Sequence, residues 1–318
     1  MIIENQQQVT EAVLSELQRA TDPRFKEIVS AAVRHLHEFA REVKLTEDEL
    51  RQGCTFIAQL GQKTNETHNE VVLLAGSLGL SILVCLLNNR GRAGKGEGDS
   101  ETTANMLGPF WRMGSPPTKN GESIVRSPTP GPALFVNAWV RDLNGNSVAD
   151  AEVDVWQSSP EGFYENQDPS QGNMNLRGKF RTDKDGGIRF RSVKPAGYPI
   201  PVDGPVGDLI RAQRRHNMRP AHLHFLVYKD GYKTHISQVY VNDDKNLETD
   251  VQFGVTRTLV GNYIRHETDK PPESDVTGPW YSLDYTFTIE PGVAKLPRPP
   301  ITAKAAGERS KLEILERK

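Results

Sequence analysis

Apolar residues recur at helical spacing through the first ninety residues of the chain, and at alternate positions further along. Val9, Val13 and Leu17 lie four residues apart and predict a first amphipathic helix. A second helix is predicted over residues 25–43, because six apolar residues there fall on one face: Ile28, Val29, Ala32, Val33, Leu36 and Phe39.

A third helix is predicted to begin at Thr46, because a threonine followed by acidic residues suits the positive end of a helix dipole. This helix is predicted to end at Gly61, and a fourth to run from Glu70 to Leu87. Small residues interrupt the apolar run of the fourth helix, which favours a buried helix over a membrane span. They are Gly76, Ser77, Gly79 and Ser81.

From residue 104 the chain changes to short apolar runs separated by turn residues. Two hairpins are predicted, over residues 179–191 around a turn at 185–187 and over residues 222–241 around a turn at 229–231. Single strands are predicted at 135–140, 152–156 and 281–289. Short strands with no helical pattern between them predict a β-sandwich. The chain is therefore expected to be mostly β with an α-helical extension.

Three segments are expected: a helical domain over residues 1–103, a β-sandwich domain over 104–293 and a tail over 294–318. The Gly-rich, charged stretch 90–103 predicts a linker, and it lacks the residue order of a phosphate-binding loop. From residue 291 the chain is rich in proline and then charged. This composition predicts either a wrapping arm or a short terminal helix.

Charge and cysteine content restrict the classes of partner and compartment. The chain has 39 basic and 41 acidic residues and a net charge of -2, which predicts neither a nucleic-acid nor a membrane partner. Cys54 and Cys85 stand in apolar, helical contexts and are predicted to be reduced core thiols. With no signal pattern at the N-terminus, these thiols predict a cytoplasmic protein.

Two histidines and two tyrosines form the candidate metal site. His222 and His224 are alternate residues of a predicted strand, so their imidazoles share one face. Tyr198 and Tyr164 precede them, and nearby prolines stiffen the backbone: Pro199, Pro201 and Pro220. Solvent-facing histidines and packing tyrosines are the alternative interpretation of each residue alone. The full set, with Arg219 immediately before Pro220, favours a shared metal ion.

The ligand chemistry indicates which metal this is. Zinc sites are built from Cys, His and carboxylates, so a set with two phenols is unusual for zinc. Tyrosine has an ordinary pKa of about 10, and a trivalent cation can stabilise the phenolate below that value. The set therefore predicts one Fe(III) per subunit, a coordination position left for water or substrate, and visible colour from phenolate-to-iron charge transfer.

Five segments carry a resemblance to a known family: Leu107-Gly108-Pro109-Phe110, residues 151–157, Asn175-Leu176-Arg177-Gly178, Tyr198-Pro199-Ile200-Pro201 and residues 219–225. They resemble motifs of the intradiol ring-cleaving dioxygenases, and the resemblance extends over most of the chain. It implies a β-sandwich catalytic domain, a catecholic substrate, O2 and a helical part that forms a homodimer. It also allows for a lipid bound between the subunits.

The resemblance assigns roles to individual residues. It makes Tyr164 and His224 the equatorial ligands and Tyr198 and His222 the axial ones. Tyr198 is then the ligand that leaves the metal and takes a proton from the substrate.

Two further residues receive catalytic roles. Arg219 is expected to stabilise charge on the substrate, with a structural ion pair as the alternative. Gln238 on the next strand is expected to orient Arg219 or the oxygenated intermediate, with packing as the alternative.

Residues 198–207 resemble the hydroxyquinol-cleaving members of the family more than the catechol-cleaving ones. The implied reaction converts hydroxyquinol (1,2,4-trihydroxybenzene) to 3-hydroxy-cis,cis-muconate, the enol form of maleylacetate. Cleavage of catechol or substituted catechols is the alternative, because Gly76 falls where the hydroxyquinol-cleaving enzymes carry an acidic residue facing the substrate, and a glycine there leaves room for a bulkier ring. The pocket walls expected from the likeness are Leu73, Gly76, Met106, Pro109, Phe110, Ile200 and Val251.

Two rival functions follow from other interpretations of the same residues. A non-catalytic β-sandwich binding module would carry the four side chains by coincidence and would have no visible colour. An extradiol or cupin-type Fe(II) enzyme requires two histidines and a carboxylate. No acidic residue keeps regular ligand spacing with His222 and His224, which argues against this class.

Overall fold

A computed structural model describes residues 2–88, 102–309 and 312–317 of the chain. Its contacts divide the chain into two compact units, Met1–Ala58 and Gln59–Lys318. Most of the predicted linker at 90–103 lies outside the described residues.

The N-terminal part is helical, as the apolar spacing predicts. Helix α1 (Gln6–Leu17) begins after Asn5 and helix α2 (Pro23–Glu42) after Asp22, and each cap side chain accepts backbone N–H bonds of the first turn. Helix α3 (Glu47–Lys63) runs two residues beyond the predicted end at Gly61.

A reciprocal cap begins helix α3. The Thr46 hydroxyl accepts the backbone N–H of Glu49 at 3.3 Å, and the Glu49 carboxylate accepts the backbone N–H of Thr46 at 2.8 Å.

The apolar face of α2 is exposed within the single chain. Ile28, Leu36 and Phe39 are between 51 and 64% exposed. Cys54 is also exposed and Cys85 is partly buried, so the prediction of two core thiols is wrong for Cys54. Both cysteines are free. The spacing identified the helical face correctly, but it could not show that this face is exposed in the described part of the chain.

The predicted fourth helix is two helices, α4 (Glu70–Ser77) and α5 (Leu80–Asn88), bent by 75°. Gly79 between them has a φ of +73°, a conformation that glycine adopts without strain and that ends a helix. Among the described residues no single helix is long and apolar enough to cross a membrane. This bent pair meets the criterion only by combined length and composition.

Eleven strands in the described residues form two main sheets and a small third one. One sheet has the order β10 (Ile264–His266), β11 (Trp280–Thr288), β1 (Ala133–Arg141) and β4 (Gly187–Val193). The second has the order β3 (Arg177–Arg181), β2 (Glu152–Gln157), β7 (His222–Tyr228), β8 (His235–Val241) and β9 (Val260–Gly261). Strands β5 (Tyr198–Pro199) and β6 (Met218–Arg219) pair separately, and helix α6 (Pro205–Ala212) lies between them in sequence.

The predicted hairpin at 179–191 does not form. Strand β3 pairs with β2 in one sheet and β4 pairs with β1 in the other, so the turn between them carries the chain across the sandwich. Phe180 and Phe190 stack across the core with ring centroids 5.1 Å apart. Burying both rings between the sheets is the physical reason for the crossing. The predicted hairpin of β7 and β8 is confirmed.

The two faces of β7 have different uses. Leu223, Phe225 and Val227 point into the apolar core between the sheets. Because side chains alternate along a strand, His222 and His224 lie on the opposite face, where both are 1% exposed. The candidate site therefore lies on the outer face of the five-stranded sheet, buried under loops.

The described part of the C-terminal tail is an arm without helix. The backbone N–H of Ala305 donates to the carbonyl of Asn166, and the Asn217 side chain bonds the backbones of Glu313 and Leu315. Of the two predicted alternatives, the wrapping arm is the one observed.

Candidate metal centre

The donor atoms of the four predicted ligands converge at one point. The Tyr164 hydroxyl lies 2.9 Å from His224 Nε2, 3.4 Å from His222 Nε2 and 3.4 Å from the Tyr198 hydroxyl. The two imidazole Nε2 atoms are 3.1 Å apart. Ligands bonded at about 2.0–2.1 Å to one ion lie about 2.8–3.4 Å from each other, so this spacing fits a shared metal.

The His222 imidazole is oriented by its second nitrogen. Nδ1 donates to the carbonyl oxygen of Pro220 at 2.7 Å, which leaves the Nε2 lone pair facing the cluster. Burial and, secondarily, the neighbouring Arg219 cation lower the pKa of His222 to about 3. The ring is therefore neutral at ordinary pH, as a metal ligand must be.

The His224 imidazole is held by a flat aromatic contact. Trp156, its partner across the β2–β7 pairing, stacks on it at 4.5 Å between centroids and 9° between planes. Burial and the nearby His222 hold the pKa of His224 well below its usual value. A neutral ring with Nε2 toward the cluster results.

The two tyrosines come from segments outside the five-stranded sheet, Tyr164 from a loop and Tyr198 from strand β5. Tyr164 follows Gly162, whose φ of +81° makes the turn after β2, and Tyr198 stands on β5 directly opposite Arg219. The Phe110 ring packs 4.6 Å from Tyr164 and 6.2 Å from Tyr198. Burial, then the proximity of Tyr198, raises the pKa of Tyr164 well above its usual value.

The chemistry of the donor set fits iron. Among the described residues, no group of three His, Cys, Asp or Glu side chains could hold a metal, so any ion here depends on the phenols. A buried phenol that loses its proton requires a strong positive charge beside it. Two neutral imidazoles and two phenols meet that requirement with a trivalent cation better than with zinc.

Arg219 lies next to the four ligands and is fully buried. Its Nη1 is 3.4 Å from His222 Nε2, while Nε and Nη2 donate to the Asp250 carboxylate at 3.1 and 3.0 Å. Burial opposes its charge, but Asp250 raises the pKa of Arg219 well above its usual value. Arg219 thus makes an ion pair and also presents a cation at the cluster.

Gln238 fixes the far side of that guanidinium. It lies opposite His224 in the β7–β8 pairing, and its Oε1 accepts from Arg219 Nη2 at 2.9 Å and from the Tyr240 hydroxyl at 2.7 Å. Its Nε2 donates to the Met106 carbonyl at 2.7 Å. With all these bonds made inside the protein, Gln238 is placed to orient Arg219.

The predicted wall residues are all buried, but the contacts bring only some of them to the cluster. Phe110 contacts both tyrosines, Met106 bonds Gln238, and Val251 adjoins Asp250. A cavity of about 500 Å³ reaches Ile200 but contains none of the four ligands. Three others are buried but make no hydrogen bond or ring contact with the four ligands among the described residues: Leu73, Gly76 and Pro109.

Four residues of this site were not expected from the sequence. Asp250 and Tyr240 bind Arg219, Trp156 stacks on His224, and Arg177 bonds Glu165 and the Phe110 carbonyl beside Tyr164. Alternation on β2 and β8 places Trp156 and Tyr240 on the ligand face once the strand pairing is known. Asp250 carries no local signal, because only the tertiary fold brings its loop to β6.

Comparison with known proteins identifies the family. Residues 106–290 match the family model described as dioxygenase, and residues 22–96 match the model of the catechol dioxygenase N terminus. The chain is 37% identical to 6-chlorohydroxyquinol 1,2-dioxygenase of Cupriavidus pinatubonensis, over 90% of this chain and 98% of that protein. It is 35% identical to catechol 1,2-dioxygenase of Candida albicans, over 89% of this chain and 92% of that protein.

A solved structure agrees with both fold and sequence. The structure of hydroxyquinol 1,2-dioxygenase from Pseudomonas putida superposes with a TM-score of 0.79 at 36% identity, over 90% of this chain and 99% of that one. The predicted fold class, a helical N-terminal part followed by a β-sandwich, is confirmed. The chain belongs to the intradiol ring-cleavage dioxygenases.

Proposed function

We propose that this enzyme cleaves the ring of hydroxyquinol at a ferric ion held by Tyr164, Tyr198, His222 and His224. The family depends on non-haem iron. One observation supports the assignment. The Tyr164 hydroxyl lies within 3.4 Å of the other three donor atoms, and the two imidazole Nε2 atoms are 3.1 Å apart.

Tyr198 and Arg219 have different roles beside that ion. When bound by these four residues, Fe(III) would supply Lewis-acid chemistry that activates a catecholic substrate for reaction with O2. Tyr198 Oη, which lies opposite Arg219 and 3.4 Å from the Tyr164 hydroxyl, is the group that accepts a proton from a substrate hydroxyl. The Arg219 cation stabilises negative charge on the substrate oxygen, with Asp250 and Gln238 holding its orientation.

Similarity to relatives supports the choice of substrate. The relatives from Cupriavidus pinatubonensis and Rhizobium, at 37 and 38% identity, are named for cleavage of hydroxyquinols. The product of hydroxyquinol is 3-hydroxy-cis,cis-muconate. Catechol is the second candidate substrate, because the Candida albicans catechol enzyme is nearly as similar, at 35% identity.

A substrate panel tests the proposal. The iron-loaded protein is given catechol, 4-methylcatechol, hydroxyquinol or pyrogallol, and oxygen uptake is recorded. Hydroxyquinol is expected to give the highest kcat/KM. Equal or higher values with catechol would overturn the substrate preference, and no uptake with any of the four would favour the non-catalytic binding module.

The domain division and the homodimer are part of the proposal. The two family matches end at residue 96 and begin at residue 106, which supports a boundary near 103 between a helical domain and a catalytic domain that extends to 293. Residues 294–318 form the tail. The exposed apolar face of α2 supports a dimer through the N-terminal helices, with a lipid as a candidate for the space between apolar helices.

The proposed location is the cytoplasm. Both cysteines are free, which suits a reducing compartment. Fractionation of cells that express the protein, with detection by antibody, tests this point.

A further inference from the structure

The side chain of Gln252 is buried without a hydrogen-bond partner. The residue is 2% exposed, and its amide bonds no group among the described residues. Only its backbone takes part, with the N–H donating to Asp250 Oδ1 at 3.1 Å. Neither amide atom is fully enclosed, so both face a space from which a group outside the protein can reach them. Buried amides are usually hydrogen-bonded, which makes this one a candidate to bind such a group.

The Gln252 amide occupies the room that Gly76 leaves. A Cβ atom added to Gly76 on α4 would lie 2.8 Å from Gln252 Nε2 and 2.9 Å from its Cδ. Real Cβ atoms do not approach so closely, so any larger residue at position 76 would displace the amide. The glycine and the glutamine are therefore a matched pair.

This pair adjoins the site described above. Gln252 is two residues from Asp250, which holds Arg219 beside His222. Arg215 donates to the carbonyls of both Ser77 and Val251 and so ties the end of α4 to the loop that carries Gln252. The loop that carries Gln252 is thus tied both to Arg219, through Asp250, and to the end of α4, through Arg215.

We propose that Gln252 binds the ring hydroxyl that hydroxyquinol has and catechol lacks, and that Gly76 makes space for this amide. This inference rests on the proposed function. A hydroxyl both donates and accepts, so either orientation of the amide can bind it. Catechol leaves the amide unpaired, and the enzyme therefore discriminates against it.

The first test replaces the amide by an apolar chain of similar length. Gln252→Met in the iron-loaded enzyme is expected to lower the ratio of kcat/KM for hydroxyquinol to that for catechol about tenfold, the effect of one hydrogen bond. Gly61→Ala is the control, because its added methyl group meets nothing within 4 Å. The control should leave the ratio as it is in the wild-type enzyme.

A second test uses the pair itself and does not depend on the folding of Gln252→Met. Gly76→Ala should lower the ratio by displacing the amide, but should lower it no further when made together with Gln252→Ala. Equal effects of Gly76→Ala in both backgrounds would refute the pairing.

The outcomes separate this inference from the proposed function. Ring cleavage by wild type with an unchanged substrate ratio in Gln252→Met would refute the role of Gln252 alone. An iron-loaded wild-type enzyme that cleaves neither compound would refute the proposed function instead.

Discussion

Asp250 accepts two hydrogen bonds from Arg219, one on each carboxylate oxygen, at 3.1 and 3.0 Å. Both side chains are buried, at 4 and 0% exposed. The pair keeps the Arg219 cation 3.4 Å from the Nε2 atom of His222, although burial disfavours the charged form. The buried Arg219 cation is stable there because the Asp250 carboxylate compensates its charge.

Asp250→Asn should therefore both destabilise the protein and reduce turnover. Loss of one partner leaves a buried cation unpaired, which costs about 3–5 kcal/mol in the free energy of unfolding. Urea unfolding measures the loss, and oxygen uptake measures the fall in kcat. Asp243→Asn is the control, because Asp243 pairs with Lys194 at the surface and such pairs contribute at most about 1 kcal/mol. Equal destabilisation by both variants would contradict the role given to Asp250.

His235 makes stability depend on pH. Burial and, to a lesser extent, the Lys233 cation lower the pKa of His235 to about 4. Since the unfolded value is about 6.5, the unfolded chain binds the proton first as the pH falls. This contribution to stability is complete above pH 6.5 and is lost by about pH 4, a change of roughly 3 kcal/mol.

The variant His235→Leu removes this dependence. Unfolding by urea at pH 7.5 and pH 4.5, in wild type and variant, gives the comparison, with the pH 7.5 pair as the internal reference. The variant should gain stability relative to wild type at the lower pH. If the difference in the free energy of unfolding between the two proteins is the same at both pH values, folding does not lower the pKa of His235 and the prediction is wrong.

Tyr198→Phe should separate metal binding from turnover. The hydroxyl it removes is the proposed proton acceptor, while Tyr164, His222 and His224 remain to hold iron. Iron content should stay above half of the wild-type value, and kcat should fall by about 10²-fold or more, the usual contribution of a positioned base. Tyr232→Phe, at a partly buried tyrosine packed against the core, is the control. Wild-type turnover in Tyr198→Phe would remove Tyr198 from the mechanism.

The features that the sequence predicts correctly are set by residues that lie close together along the chain. The alternation around His222 and His224 gives their shared face, and the Thr46–Glu49 cap gives the start of a helix. The sequence does not predict that the chain crosses between the two sheets from Phe180 to Phe190. The same turn residues occur whether the two strands pair in one sheet or belong to two. The Gly76–Gln252 contact joins residues far apart in sequence, and neither residue alone indicates the other.

Visible absorption of the iron-loaded protein tests the central claim most directly. Phenolate ligands to Fe(III) should give a broad visible band, and anaerobic addition of hydroxyquinol should shift it. The band should weaken in both Tyr164→Phe and Tyr198→Phe, with Tyr232→Phe unchanged. A wild-type protein that binds one iron per chain without visible absorption, or a band that neither tyrosine variant alters, would contradict ligation of the metal by Tyr164 and Tyr198.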